Sequence, residues 1–196
     1  GTVNALDDAS FSYAAAAYCV DGTDPTPTIT GLAGGAFSEP TGNLSLTAGT
    51  GAIDVSTSTS GATYTVTYTT AGTCPNTATF DVTINALPVA TFSYGGTPYC
   101  SNDANATVTL AGGSTAGTFS STNGLVFADA ATGEVNIAGS TPGSYTVVNT
   151  IAAAGVCAAV TAQSAIVITA LPVATFSYGG TPYCSNDANA TVTLGG

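Results

Sequence analysis

Apolar and polar residues alternate with a period of two along most of the chain. In residues 78–85, Ala, Phe, Val and Ile alternate with Thr, Asp, Thr and Asn, and in residues 63–68 tyrosine and valine alternate with threonine. Because successive side chains of a β-strand point to opposite faces, each segment predicts a strand with one buried face and one threonine-rich face in water. No segment shows a helical period. The pattern therefore predicts an all-β chain.

Turn-forming pairs interrupt this alternation at intervals of about eight to twelve residues, as at Gly95-Gly96, Gly112-Gly113, Asn123-Gly124 and Pro142-Gly143. Short strands at that spacing are typical of a β-sandwich. In the second half of the chain we predict strands near 88–94, 104–110, 116–120, 125–128, 133–138, 144–151 and 160–169.

The chain is built from repeats. Residues 86–110 recur unchanged as residues 170–194, and a diverged copy of the same stretch begins near Ala5. Constant spacing between copies is the signature of tandem modules. We predict that residues 1–4 end a preceding repeat, 5–85 form repeat 1, 86–169 form repeat 2, and 170–196 begin an incomplete repeat 3. On this interpretation the sequence is a window on a longer array.

Charge excludes several classes of function. The 196 residues include eleven Asp and Glu but no Lys, Arg or His, which gives a net charge of −11. Binding to nucleic acid or to an anionic membrane surface requires cationic side chains, so neither is expected. No apolar run is long enough to predict insertion into a membrane. A hydrophobic fraction of 44% argues against disorder.

Five cysteines follow the repeat. Cys19 and Cys74 lie in repeat 1, Cys100 and Cys157 lie at matching positions in repeat 2, and Cys184 matches Cys19 and Cys100. One pair per module at fixed spacing predicts disulfides Cys19–Cys74 and Cys100–Cys157, with the partner of Cys184 outside the chain. Disulfides form in oxidising compartments, so this interpretation predicts an extracellular or cell-surface location. Buried free thiols are the alternative.

No residue pattern predicts catalysis or a cofactor. Without histidine or lysine, a serine or cysteine nucleophile lacks its usual base, and no two carboxylates are paired. We therefore predict that the chain is not an enzyme. Asp7, Asp8, Asp21 and Asp24 could supply oxygen ligands for calcium, but repeat 2 does not preserve them, so solvated loop acids are favoured and no metal site is predicted.

Two further candidate sites lie on side chains of the repeat. Asn43, Asn105 and Asn189 fit the Asn-x-Ser/Thr acceptor pattern for glycosylation, which is common by chance in a threonine-rich chain. The tyrosines of the repeat could stack on sugars, although recurrence at fixed positions favours packing in the core. These tyrosines are Tyr13, Tyr18, Tyr94 and Tyr99.

The order of motifs in each complete repeat resembles a known family. A Tyr-Cys pair is followed by Gly-x-Phe-Ser, by Thr-Gly-x-[Ile/Val]-[Asp/Asn], by a Gly-containing turn before Tyr-Thr-Val, and by a second cysteine. These motifs stand at 35–38 and 117–120, at 50–54 and 132–136, and at 60–66 and 142–147. They resemble the Ig-like tandem repeats of large Bacteroidetes surface adhesins and gliding-motility proteins. The resemblance implies Ig-like β-sandwich domains stacked end to end as a rod, export to the cell surface, and no catalytic residues.

The expected function is structural. We predict a stalk or adhesive repeat region of an extracellular surface fibre, which sets reach and stiffness. Its partners would be neighbouring repeats or identical subunits, and surface glycans or another ligand of a host or substratum. An alternative is the subunit of a non-covalent filament in which a strand completes the open domain of the next subunit. A third interpretation is an array of carbohydrate-binding modules.

Overall fold

The computed structural model describes residues 1–195, and every regular element within them is a β-strand. The strands are β1 (Phe11–Ser12), β2 (Ala17–Cys19), β3 (Thr28–Ile29), β4 (Ala36–Ser38), β5 (Ser45–Leu46), β6 (Ile53–Asp54), β7 (Ala62–Thr69), β8 (Thr77–Asn85), β9 (Phe92–Tyr94), β10 (Tyr99–Cys100), β11 (Val108–Leu110), β12 (Thr118–Ser121), β13 (Phe127–Asp129), β14 (Glu134–Val135), β15 (Gly143–Ile151), β16 (Val160–Thr169), β17 (Thr175–Tyr178) and β18 (Val192–Gly195). The predicted all-β class is confirmed.

Each strand predicted for repeat 2 overlaps a strand of the structure, and the two long ones agree most closely. β15 and β16 coincide with the predicted segments 144–151 and 160–169 to within one residue. The predicted strands 88–94, 104–110 and 133–138 are shorter in the structure, where β9, β11 and β14 have three, three and two residues. The two-residue strand β10 was not predicted, because only its pairing with β16 makes it a strand.

Two four-stranded sheets have the same strand order. The first is β2-β8-β7-β4 and the second is β10-β16-β15-β12. In each, the short Tyr-Cys strand runs parallel to the last strand of the repeat: Tyr18 is the Cα partner of Ile84, and Tyr99 is that of Ile168. Two-stranded ribbons β1-β3, β5-β6, β9-β11, β13-β14 and β17-β18 complete the topology.

The chain forms two compact units that do not follow the repeat boundaries of the sequence. The first unit comprises residues Gly1–Thr91, Leu110–Gly117 and Asn149–Ala162, and the second comprises Phe92–Thr109, Thr118–Val148 and, among the described residues, 163–195. Three stretches of repeat 2, residues 86–91, 110–117 and 149–162, therefore belong to the compact unit that contains repeat 1.

The core of the first unit lies between the four-stranded sheet and the ribbons of repeat 1. Alternate residues of β7, namely Tyr64, Val66 and Tyr68, are buried, while the threonines between them face outward or are half-buried. Phe37 of β4 packs against Tyr68 with ring centroids 4.6 Å apart. The ribbons and their connections contribute further buried residues, namely Ala9, Tyr13, Leu44, Ile53 and Val55. This arrangement is an Ig-like β-sandwich.

The second unit repeats this core chemistry. Phe92 of β9 packs edge-to-face on Phe119 of β12, with ring centroids 5.1 Å apart. The other buried apolar residues of this unit are Tyr94, Ala106, Val135, Ile137, Tyr145, Val147, Ile166 and Ile168. The period-two alternation predicted these buried faces.

One turn glycine explains the Thr-Gly motif of the repeats. Gly133 has a φ of 76°, which an L side chain rarely adopts, and a Cβ there would lie 2.6 Å from Cγ2 of Val108. The carbonyl oxygen of Gly133 accepts a hydrogen bond of 2.6 Å from the buried hydroxyl of Tyr94. Gly51 accepts the equivalent bond from Tyr13 in repeat 1. In each repeat the Thr-Gly motif therefore forms a turn whose glycine carbonyl accepts a hydrogen bond from a buried tyrosine.

The ribbon β17-β18 shows what identical residues do without the rest of a repeat. Phe92 and Tyr94 are each 5% exposed, whereas Phe176 and Tyr178, which occupy the same positions in an identical 25-residue stretch, are 68% and 48% exposed. Burial of these side chains thus depends on residues that follow the stretch in repeat 2, among them Phe119.

Candidate cross-linking site at the repeat boundary

The cysteines provide the one covalent link between distant segments in residues 1–195. Cys19 forms a disulfide with Cys157, with a Cα–Cα distance of 5.1 Å and a sequence separation of 138 residues. Cys74 is a half-buried free thiol, and Cys100 and Cys184 are exposed free thiols. Cys19 belongs to repeat 1 and Cys157 to repeat 2, but both lie in the first compact unit. The disulfide therefore joins successive repeats.

The predicted pairs Cys19–Cys74 and Cys100–Cys157 are wrong, and strand register explains why. Cys19 is the Cα partner of Asn85 at the end of β8, whereas Cys74 precedes the start of β8. The nine residues of β8 span about 26 Å at about 3.3 Å per residue. A disulfide requires Cα atoms about 4.4–6.8 Å apart. Cys100 is likewise the Cα partner of Thr169 at the end of β16, and Cys157 precedes that strand.

Both sulfurs of the disulfide lie at the junction between the repeats. The amide of Val20, next to Cys19, donates a hydrogen bond of 3.1 Å to the carbonyl oxygen of Asn85. The sulfur of Cys157 lies 3.7 Å from the carbonyl oxygen of Ala86 and 3.9 Å from that of Asn85. The residues that leave repeat 1 and enter repeat 2 thus lie against the two cysteines.

An open cleft of about 550 Å³ adjoins this junction within the first unit. Its lining includes Leu87, Pro88, Ile151 and Cys157 and contains no charged side chain. The cleft therefore offers apolar surface but no group for acid–base or electrostatic catalysis.

Counting thiols distinguishes the two pairings. The chain is first folded and then denatured without a reductant. We expect it to react with three equivalents of a maleimide, at Cys74, Cys100 and Cys184. The pairs predicted from the sequence would leave one reactive thiol, Cys184. Mass spectrometry of the alkylated protein gives the number directly, and a value of one would contradict the structure.

Three of the four aspartates considered for calcium, Asp7, Asp8 and Asp24, accept hydrogen bonds from other groups of the fold. Asp24 accepts a hydrogen bond of 2.9 Å from the amide of Val55, and Asp7 accepts one of 3.0 Å from the hydroxyl of Thr70. Asp8 accepts bonds from the hydroxyl and the amide of Ser10, which lower the pKa of its carboxyl group. Within residues 1–195 no three His, Cys, Asp or Glu side chains cluster as metal ligands would.

Two of the four repeat tyrosines lie in the cores, which is the packing that their recurrence at fixed positions favoured. Tyr13 and Tyr94 are buried, and their hydroxyls donate to backbone carbonyls. Burial raises the pKa of both phenols, with smaller contributions from Tyr18 and Tyr99 respectively. Tyr18 and Tyr99 are half-buried, and each hydroxyl accepts a bond from the amide three residues earlier. The structure does not assemble these four tyrosines into an exposed row.

The three asparagines of the Asn-x-Ser/Thr triplets are exposed. Asn43 and Asn189 make no side-chain hydrogen bond within residues 1–195, whereas Asn105 donates one of 2.7 Å to Glu134. Exposure meets the steric requirement for modification, and glycosylation at these positions stays a prediction.

Sequence reasoning missed a buried polar residue, Asn149. It is fully buried, and its amide group donates to the carbonyl oxygens of Ala90 and Thr115 at 2.9 and 3.1 Å. Its side-chain oxygen accepts a bond of 2.8 Å from the amide of Gly117. An asparagine at a core-facing position of the alternation, two residues after Val147, was the available signal. All four residues lie in the first unit, so Asn149 secures three backbone groups there.

The part of the chain that the structure describes contains no helix long and apolar enough to cross a membrane.

No known protein family and no curated protein sequence matches the chain. Solved structures that resemble it include a SusE-like surface located polysaccharide binding protein from the Bacteroides thetaiotaomicron heparin utilisation locus, at 20% identity and a TM-score of 0.33, with 86% of this chain and 35% of that chain covered. A Ca²⁺-stabilized adhesin with which an Antarctic bacterium binds ice has 15% identity and a TM-score of 0.38, with 85% and 50% covered. Extracellular cadherin domains 3–6 of protocadherin gamma B2 have 10% identity and a TM-score of 0.40, with 94% and 55% covered.

The chain thus spans about a third to a half of the lengths of these structures. All of these TM-scores are below 0.5.

Proposed function

We propose that the chain is part of a non-catalytic, extracellular stalk built from tandem Ig-like repeats, with the repeat boundaries at residues 4/5, 85/86 and 169/170. The observation that carries this proposal is the disulfide Cys19–Cys157, which joins one repeat to the next. A cross-link of that kind stabilises the connection between repeats. The disulfide would therefore keep successive repeats joined when the stalk is under tension. The number of repeats would set the reach of the stalk.

Surface chemistry supports an extracellular setting. The outward faces of the long strands carry threonines, and two of these, Thr63 and Thr83, share a hydrogen bond of 2.7 Å across β7 and β8. These hydroxyls provide hydration without charge, and the complete lack of Lys and Arg leaves no cleavage site for trypsin-like proteases. A disulfide persists in the oxidising conditions outside the cell.

The partners in this proposal are neighbouring repeats and a ligand presented at a distance. A glycan or protein on a host or substratum would bind at a module elsewhere in the same fibre. The net charge of −11 and the lack of basic side chains disfavour binding to nucleic acid. Uniform negative charge also disfavours side-by-side contact between stalks at low salt.

A filament of separate subunits is the second candidate, and in it the ribbon β17-β18 would be the place of contact. Phe176 and Leu194 are 68% and 80% exposed, so the ribbon presents an apolar surface that a strand from another subunit could cover. No comparable observation supports the third interpretation, a carbohydrate-binding array, since Tyr13 and Tyr94 lie in the cores.

Mass determination on native material under denaturing, non-reducing conditions separates these candidates. For a stalk, antibodies against repeat 2 should detect a species far above 18.9 kDa and should also label intact cells. A discrete species near 18.9 kDa after denaturation would overturn the stalk and support the filament. Labelling only after permeabilisation would overturn an extracellular role for either.

A further inference from the structure

The cysteines occupy two kinds of position in the repeats. One kind, here called the strand cysteine, comprises Cys19 and Cys100, which follow the tyrosine of a short parallel strand, and Cys184, which has the same position in the repeated sequence. The other kind, the hairpin cysteine, lies between the two long strands and comprises Cys74 and Cys157. The disulfide joins the strand cysteine of repeat 1 to the hairpin cysteine of repeat 2.

The surroundings of the strand cysteine recur at Cys100. Cys100 is the Cα partner of Thr169, just as Cys19 is that of Asn85. The amide of Ser101 donates a bond of 2.9 Å to the carbonyl oxygen of Thr169, which reproduces the bond from Val20 to Asn85. Cys100 is therefore held beside the last residue of repeat 2, in the position that Cys19 has in repeat 1.

The surroundings of the hairpin cysteine recur at Cys74. The carbonyl oxygen of Cys74 accepts a bond of 2.9 Å from the amide of Asp7, two residues after the start of repeat 1. Cys157 likewise lies against the start of its own repeat, 3.7 Å from the carbonyl oxygen of Ala86. A hairpin cysteine thus contacts the residues that enter its repeat, and a strand cysteine contacts the residues that leave its repeat.

We propose that Cys100 is a cross-linking site for the hairpin cysteine of a following repeat, so that disulfides of the Cys19–Cys157 kind form a ladder along the array. In the same way Cys184 takes the hairpin cysteine of the repeat that follows repeat 3, and Cys74 takes the strand cysteine of the repeat before repeat 1. The thiol of Cys100 is exposed, and Thr169, whose hydroxyl lies 3.9 Å from its sulfur, leads directly into the next copy at Ala170. The inference rests on the proposed tandem array.

Each link forms by thiol–disulfide exchange. The thiolate of one cysteine attacks a disulfide oxidant to give a mixed disulfide, and the second cysteine displaces the oxidant's remaining thiol. The two protein thiols lose two protons and two electrons, and the oxidant is reduced to two thiols. In the cell a protein dithiol oxidase of the export compartment would supply the oxidant, and glutathione disulfide supplies it in the test below.

An extended chain tests the ladder. Residues 1–194 of the chain are followed directly by a second copy of residues 111–169. This addition completes repeat 3 and adds one hairpin cysteine, a copy of Cys157. After refolding with reduced and oxidised glutathione, free thiols are blocked with N-ethylmaleimide, and peptic peptides are identified by mass spectrometry. We expect the Cys19–Cys157 linkage, a second linkage between Cys100 and the added cysteine, and alkylation of Cys74 and Cys184. The number of free thiols per chain therefore falls from three in the original chain to two, although a cysteine has been added.

The matched control replaces the added cysteine with serine. Its thiol number returns to three, with Cys100 alkylated and Cys19–Cys157 intact. Linkage of the added cysteine to Cys184, or alkylation of Cys100 in the extended chain, overturns the ladder. Hydrogen exchange of the β17 amides in the extended chain tests the tandem array separately. If β17 is protected but Cys100 is not linked, only the ladder is contradicted. If β17 is unprotected, repeat 3 has not folded, and the tandem array itself is contradicted.

Discussion

Replacing Phe92 with alanine is expected to lower the free energy of unfolding by about 3–5 kcal/mol, whereas Phe176→Ala should change it by less than about 0.5 kcal/mol. The two residues have the same position in two identical copies of a 25-residue sequence. Phe92 is 5% exposed and packs on Phe119, so its truncation leaves a cavity in the second unit. Phe176 is 68% exposed and loses little packing.

Chemical denaturation of the two variants beside the parent chain measures this difference. The pair is a matched control, since local sequence and strand propensity are identical and only the environment differs. Equal destabilisation by both substitutions would show that Phe176 is buried in solution, for example by another copy of the chain, and would contradict the exposure of β17.

Asn149→Leu is the second large effect, and we expect a loss of about 3–6 kcal/mol in the free energy of unfolding. Leucine has a similar volume but cannot form hydrogen bonds, so it leaves the buried carbonyl oxygen of Ala90 and two part-buried groups, the amide of Gly117 and the carbonyl oxygen of Thr115, without this partner. Each unsatisfied buried group costs about 1–3 kcal/mol. The loss should appear in the unfolding of the first unit.

Asn102→Leu provides the control for this substitution. Asn102 is exposed and makes no side-chain hydrogen bond in the described residues, so its replacement should change stability by less than about 0.5 kcal/mol. An Asn149→Leu variant as stable as the parent would show that water or rearranged backbone satisfies the three groups, and that the buried asparagine is dispensable.

The fold was predictable because its signals are local. Alternation in residues 144–151 and 160–169 placed β15 and β16 to within one residue, and turn pairs separated the shorter strands. Exact recurrence of the stretch 86–110 as residues 170–194 defines the repeat from the amino-acid sequence alone. These features depend on residues close together in the chain, where strand periodicity and turn chemistry act.

The candidate site was only half predictable. Spacing showed that cysteines occupy matching positions in each repeat, but their partners depend on long-range register. The two-residue strand at Tyr99 pairs in parallel with β16, a choice that no local pattern reveals, and this pairing places Cys100 at the far end of the strand from Cys157. Asn149 was missed for a related reason, because its three partners come from segments 32 to 59 residues away.

The disulfide Cys19–Cys157 gives the chain a specific mechanical property. When the chain is pulled from its two ends, force passes through the Cys19–Cys157 bond, and the residues between these cysteines cannot extend. Reduction of the bond releases a segment with a sequence separation of 138 residues. At about 3.3–3.6 Å per extended residue, that segment adds about 450–500 Å of contour length.

Single-molecule force spectroscopy on the chain tethered at its termini tests this central claim most directly, with the contour length measured with and without a reductant. We predict a gain of about 450–500 Å on reduction, and no gain in a Cys19→Ser, Cys157→Ser double variant, which should extend fully without reductant. No gain in the parent chain, or a gain of about 390 Å as expected for two loops closed by Cys19–Cys74 and Cys100–Cys157, would contradict a disulfide that carries tension from one repeat to the next.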